Sequence, residues 1–418
     1  SRLATENWDA PIVVTTAVQF FESLHAARTS RCRKLHRIAN AVVILDEAQT
    51  LPVTYLTPCL RALEELAENY QTTAILCTAT QPAISHHPTE FPIGLKNLRE
   101  IIRQPDQLFS TLRRVSISDL GEQPDSTVAE RMLRNRQSLC IVNRRRHAQA
   151  LFQQLPSDCS RFHLSALMCP AHRTRHLNTI RQRLEDGQPV RLVSTQLIEA
   201  GVDIDFPLVL RALAGLNSIA QAAGRCNRHG RLPALGQTLV FQPEDDKAET
   251  YFRETAQVTA QIIACHDDLL GQAAIHHFFD LYYYRQADRW DEKHILELSR
   301  LDGAQRHCPL RFDFRTIDRE FQLIDDWQQP VIIPFDETAH QLIADLRNEF
   351  KPLNRSLLRQ LQRYTVQVSP RLLTANLSAC DVIRDGQFHA LVSPELHYSD
   401  EFGLTFDEQH ASSQILSV

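Results

Sequence analysis

NAVVILDEAQTLP, residues 40–52, drives a run of branched apolar residues into two adjacent carboxylates, Asp46 and Glu47. An uninterrupted apolar run, rather than an alternating one, is the pattern of a parallel strand covered on both faces. PIVVTT (11–16) and TAILCTAT (73–80) have the same character. Between them, AVQFFESLHAAR (17–28) and YLTPCLRALEELAENY (55–70) carry apolar residues at helical spacing. A polar, proline-bearing stretch from 81 to 125 interrupts this rhythm.

The rhythm then resumes. Strand-like SLCIVN (138–143), RFHLSAL (161–167), VRLVSTQLI (190–198), PLVLRAL (207–213) and QTLVFQ (237–242) alternate with helical RHAQALFQQL (146–155), HRTRHLNTIRQRLED (172–186) and SIAQAAGRCNR (218–228). Two successive β-α runs predict an α/β protein with two doubly wound lobes, the first over 1–125 and truncated at its N-terminus, the second over 126–245. Beyond 246 the pattern changes to aromatic-rich helices, PVIIPF (330–335), the helical RSLLRQLQRY (355–364) and a strand-like tail. That predicts a C-terminal α+β domain over 246–418.

Composition narrows the class. The 418 residues are 43% hydrophobic with a net charge of −5, enough for several cores and without a global basic signature. Ten cysteines show no C-x-x-C pair and no metal-ligand spacing with histidine, which suits free thiols in a reducing, cytoplasmic setting. No run is long enough for a membrane span. The chain opens at Ser1 just ahead of a mid-domain strand pattern, as a cut through a larger protein would.

In doubly wound sheets ligands bind beyond the carboxyl ends of the strands, where Asp46 and Glu47 fall. An Asp there can hold Mg²⁺, usually through water, while a neighbouring Glu orients a nucleophilic water toward a phosphate. Taken alone, the pair reads rather as a helix N-terminus, where the macrodipole favours acids. CTAT (77–80) ends the next run with Thr78 and Thr80. In the second lobe, STQLIEAGVDIDF (194–206) places Gly201 and Asp203 at a turn after a strand, and QAAGRCNRHGR (221–231) spaces Gln221, Arg225 and Arg228 at helical intervals on one predicted face. Arginines so placed can grip phosphate bidentately and stabilise the charge of phosphoryl transfer.

In that order, D-E-A-Q, T-A-T, V-S-T-Q-L-I-E-A-G-V-D and Q-A-A-G-R-C-N-R closely resemble motifs II, III, V and VI of superfamily 2 helicases. More narrowly, VVILDEAQTLP, LIEAGVDIDFPLVLRALAGLNSIAQAAGRCNRHGR and LLRQLQRYTVQV resemble the CRISPR-associated helicase–nuclease recruited by type I interference complexes, with a tail most similar to the subtype I-C form. The resemblance implies two RecA-like lobes and ATP-driven 3′ to 5′ movement on single-stranded DNA in antiviral defence. Residue by residue, it implies Asp46 for Mg²⁺-ATP, Glu47 as the base for the hydrolytic water, and Gln49 where many relatives have His. Thr78 and Thr80 would couple hydrolysis to lobe movement, and Gly201 and Asp203 would contact ATP and DNA. Arg225 and Arg228 would be arginine fingers, with Gln221 orienting them. Thr15, Thr16, Asn143, Arg144, His163, Ser165 and Thr195 fall at the strand ends where the family touches the DNA backbone.

Two family parts are not in the sequence. None of the twelve glycines is followed by lysine, so the phosphate cradle G-x-x-x-x-G-K-[ST] is missing. The HD nuclease domain is missing too, and His266-Asp267 and the histidines of IHHFFD (275–280) read as ordinary helix surface. The expected partners are single-stranded DNA, a Cascade-like effector complex, and an HD/Walker A segment on the same or a separate chain. Alternative readings are another superfamily 2 DNA-repair or RNA helicase, or a catalytically incomplete module that docks DNA or an effector. The aromatic FFDLYYYRQADRW (278–290) reads as core of the third domain, and the basic NRRRHAQ (143–149) and RTRHLNTIRQR (173–183) as solvated faces that could follow a DNA backbone.

Overall fold

Strand β1 (Val42–Asp46) lies parallel to β2 (Thr73–Cys77), with Asp46 opposite Cys77, so the acids and the threonines leave the sheet at the same edge. These coordinates are a computed structural model that describes residues 6–78, 80, 84–244, 250–299, 313–324 and 328–406. The chain divides into two compact units, Ser1–Leu112 with Val258–Asp325, and Arg113–Gln257 with Asp326–Val418. The stretch beyond 246 is therefore shared between them.

In the first unit the crossover helix Leu56–Asn69 buries Leu56, Leu60, Leu63 and Leu66. Its core also takes Phe20, Phe21, Leu45 and Tyr55, together with Ile295, Ile317 and Phe321 from the late segment. Tyr55 meets Phe321 edge-on at 5.0 Å and donates its hydroxyl hydrogen to the Glu320 carbonyl at 2.8 Å. The aromatic run is core, as expected: Phe278, Phe279, Tyr283 and Trp290 are buried, but against Phe91 of this unit.

Two expectations need correction here. PIVVTT (11–16) is not a strand: it is irregular, with Ile12 84% and Val14 95% exposed, and Thr16 caps the helix Ala17–Leu24 by accepting the Gln19 N–H at 3.1 Å. β-branched residues favour a strand only where a neighbouring ladder takes up their backbone groups. Strand β1 is covered on one side only: Leu45 is buried, whereas Val42 and Ile44 are 64% and 63% exposed.

The second unit is built on six parallel strands, β3 (Val115–Gln123), β4 (Gln137–Ile141), β5 (Arg161–Leu164), β6 (Val190–Ser194), β7 (Leu208–Ala212) and β8 (Gly236–Pro243). Their order is β3-β8-β7-β4-β6-β5. The order reverses beside β4, and helices Asp125–Arg134, Arg145–Gln154, Pro170–Glu185 and Leu216–Ala223 form the crossovers. Strands β4, β6 and β7 are nearly wholly buried, as continuous apolar runs require. Strand β3 and the helix after it fall at the end of the stretch read above as a break or directly past it. The α+β tail is present as a four-stranded mixed sheet, β9 (Gln329–Ile332), β10 (Thr365–Val368), β11 (Cys380–Ile383) and β12 (Phe388–Leu391), in the order β10-β9-β12-β11. A hairpin of β13 (Tyr398–Ser399) and β14 (Gly403–Leu404) follows.

Candidate functional site

Strand β1 ends on Asp46, and Glu47 turns sharply out of it in a left-handed conformation, φ 54° and ψ 45°. Asp46 Oδ1 accepts the Glu47 N–H at 3.1 Å, which steadies the turn without consuming the whole carboxylate. Asp46 is exposed and Glu47 half-buried. Gln49, buried in the following single turn, donates from Nε2 to Glu47 Oε2 at 2.5 Å. Its Oε1 faces the Thr78 hydroxyl, and Thr78 Oγ1 accepts the Thr80 N–H at 3.1 Å. One polar chain thus runs Glu47–Gln49–Thr78–Thr80, joining the ends of β1 and β2.

In the second unit the helix holding Gln221 stops at Ala223, so Arg225 and Arg228 do not share a helix face. Gly224 caps the helix, and Asn227 at φ 45° turns the chain again. Arg225 is 7% exposed and donates from Nε to the Ile198 carbonyl at 3.0 Å and from Nη2 to the Glu199 carbonyl at 2.5 Å. Its guanidinium thereby holds the loop after β6. Arg228 is open to solvent and donates from Nε to Asp203 Oδ1 at 2.9 Å. Gly201 has φ 70°, a conformation that a side chain would strain, and space where a Cβ would stand.

Sequence reasoning missed three residues that frame this half. Asp205 accepts the Arg228 N–H at 2.7 Å and the His229 N–H at 3.2 Å, fixing the backbone under Arg228. Glu199, buried, lies 2.8 Å from the Arg211 Nε and accepts the Ser218 hydroxyl at 2.8 Å. Burial raises the Glu199 pKa and the Arg211 charge opposes that rise. Arg211 also donates to Asn143 Oδ1 at 2.7 Å, tying the Asn143 strand end to the same network. A lone arginine within the apolar run LVLRAL was the available signal, because a cation there requires a buried acceptor.

The remaining residues separate by exposure. Thr15 and Thr16 are exposed, and Asn143, Arg144 and Gln221 are half-buried. His163 and Ser165 are 2% and 1% exposed, and both bond inside the unit: His163 Nδ1 lies 2.9 Å from the Glu401 carbonyl and Ser165 Oγ accepts the Leu167 N–H at 3.1 Å. Thr195 is buried at the end of β6. His266 lies against His277, Nε2 to Nδ1 at 3.0 Å.

Residues 134–231, which include β4 to β7 and the Asp203–Arg228 pair, match the family model for the C-terminal part of the CRISPR-associated nuclease/helicase Cas3. Among curated proteins, the CRISPR-associated nuclease/helicase Cas3 of Haloferax volcanii is 26% identical over a region covering 53% of this chain and 34% of that protein. Its counterpart in Methanothermobacter thermautotrophicus is 24% identical, covering 53% and 28%. The chain thus spans about a third of the curated relatives it matches. Among solved structures, T. fusca Cas3 with AMPPNP superposes with a TM-score of 0.61 at 17% identity, covering 91% of this chain and 55% of that one. A chain of a CRISPR RNA-guided surveillance complex in a pre-nicking state gives 0.56 at 17% identity, covering 93% and 57%. The resemblance drawn from the motifs is borne out for the helicase region, and so is the mixed α/β fold class with its large parallel sheet. Among the described residues no helix is long and apolar enough to cross a membrane.

Proposed function

We propose that the chain is the nucleotide-hydrolysing, DNA-moving region of a Cas3-type helicase–nuclease, with the two constellations serving one ATP turnover. The observation that carries this reading is the polar chain Glu47–Gln49–Thr78–Thr80, which links the two strand-end motifs of the first unit. A base that must orient water and then report on the event needs such a connection to another motif.

Asp46 fits a divalent cation: its carboxylate is exposed at a strand end, and Oδ1 accepts the Glu47 N–H. It would hold Mg²⁺, most simply through water, and the ion when bound neutralises phosphate charge. Glu47 accepts the proton of the attacking water. Arg228, released from Asp203, stabilises the charge of the transferred phosphoryl group, while Arg225 and Gln221 hold the segment that presents it. Thr15, Thr16, Asn143 and Arg144 offer hydroxyls, amides and positive charge to a DNA backbone, which needs no more than that. His163, Ser165 and Thr195 support the loops from beneath. Movement runs 3′ to 5′ on single-stranded DNA, and a Cascade-like complex is the recruiting partner, by analogy with the surveillance-complex chain of like fold.

On this reading a phosphate cradle, which the sequence lacks, is supplied by another segment. The proposal is therefore tested on the polypeptide or assembly that pairs this chain with a G-x-x-x-x-G-K-[ST] segment. Single-stranded DNA is expected to stimulate its ATPase more than RNA of the same length. Stimulation by RNA alone would instead support an RNA helicase of the same superfamily.

A further inference from the structure

Away from both constellations, the first turns of the helix Pro170–Glu185 carry two histidines on one face, His172 and His176, spaced i, i+4. The turn between β13 and β14 brings Asp400 to them across more than two hundred residues of chain. The two Nε2 atoms are 2.9 Å apart. Asp400 Oδ1 is 3.3 Å from the His172 Nε2, and Oδ2 is 3.7 Å from the His176 Nε2. Three donor atoms around a tetrahedral zinc ion, with bonds of about 2.0–2.1 Å, stand roughly 3.3 Å from one another. The nitrogen pair and the nearer carboxylate oxygen of each ring lie around that value, and one ligand atom from each of the three residues falls within 4.8 Å of the others.

We infer that His172, His176 and Asp400 form a zinc site that clamps the 398–404 hairpin onto the second unit. Two imidazoles and one carboxylate are a borderline-soft donor set, suited to zinc with water in the fourth position.

The surroundings supply what ligating residues need around them. His172 is wholly buried, stacks on Phe335 at 4.8 Å, and has Nδ1 2.8 Å from the Tyr398 hydroxyl, which itself accepts the Cys169 N–H at 3.0 Å. With Nδ1–H donated to Tyr398, the Nε2 lone pair faces His176 and Asp400. Such an outer partner fixes ring orientation in metal sites. Arg175 contacts Asp400 Oδ1 while packing over Phe335 at 4.6 Å, so it anchors the carboxylate and leaves Oδ2 open. The hairpin is also held by the Leu404 N–H to the Leu167 carbonyl at 2.8 Å, by Arg161 to Glu401 at 2.6 Å and by His163 Nδ1 at 2.9 Å from the Glu401 carbonyl.

The test is a zinc titration of the whole chain after dialysis against chelator, read by elemental analysis and by competition with a chromophoric chelator. Cobalt substitution serves as a second readout, through the absorption bands of a tetrahedral ion. One zinc per chain is expected, with a rise of several degrees in Tm that chelator reverses. His176→Ala and Asp400→Asn should each weaken binding at least about tenfold, the usual cost of losing part of a metal's shell, and abolish the Tm response. Asp400 is 69% exposed, so its variant retains the fold and isolates the ligand effect. Wild-type chain that takes up no zinc, or zinc retained with unchanged affinity in both variants, would overturn the assignment.

Discussion

Arg225 and Arg228 stand three residues apart and serve different ends. Arg225 is buried and donates to two loop carbonyls, whereas Arg228 is exposed on Asp203. Arg225→Ala leaves buried acceptors unpaired and is expected to lower unfolding free energy by about 2–4 kcal/mol. Arg228→Ala should leave denaturant unfolding nearly unchanged yet reduce ATP turnover of the assembled enzyme by about 10³-fold or more. Equal effects on stability would contradict this division. Thr78→Val removes one hydroxyl from the polar chain; a lost hydrogen bond is worth roughly tenfold at most, so ATPase should fall no further than that while strand separation falls more. Parallel losses would place Thr78 outside the coupling path. The placement of Asp46 and Glu47 at the end of a strand was legible because the apolar run stops at them. The burial of Arg225 was not, since the sequence spaces it like a helix-face partner and the break at Gly224 and Asn227 is a matter of backbone dihedrals. Asp205 and Glu199 escaped notice because their work is to hold backbone and a buried cation, which leaves no spacing signature.

At the scale of elements, continuous apolar runs located β4, β6 and β7 because strands covered on both faces exclude polar alternation; β1 was located by the same kind of run although only one of its faces is covered. Strand β3, VSISDLGEQ, is an edge strand pairing only with β8, so its outer positions are polar and the run is hidden. The run at 11–16 failed in the opposite sense: it has strand composition and no ladder. Neither outcome can be read from propensity, which measures the side chain and not its neighbour. The hairpin near the C-terminus was visible only as a strand-like tail. Gly403 has φ 77°, and a Cβ there would meet the Leu167 carbonyl oxygen at 2.4 Å. Gly403→Ala is therefore expected to cost at least about 1–2 kcal/mol from the dihedral alone. Limited proteolysis should then cut first near residues 398–404; unchanged stability and cleavage would show that the hairpin is not held as described.

At the scale of the molecule, the chain order and the compact units differ: residues 258–325 complete the core of the first unit and 326–418 that of the second. The sequence break at 246 marks the end of the β-α rhythm and not the end of a unit, because tertiary contacts between distant segments carry no local periodicity. The sequence contains D-E-A-Q and Q-A-A-G-R-C-N-R but no G-x-x-x-x-G-K-[ST]. The chain by itself is accordingly expected to hydrolyse ATP negligibly, which a steady-state assay with saturating single-stranded DNA checks. The most direct measurement is that same assay on the assembly that includes the cradle, comparing the native sequence with Glu47→Gln. Loss of a positioned general base should reduce DNA-stimulated turnover by about 10²–10⁴-fold while ATP still binds. Undiminished DNA-stimulated hydrolysis by the Glu47→Gln assembly would contradict the account.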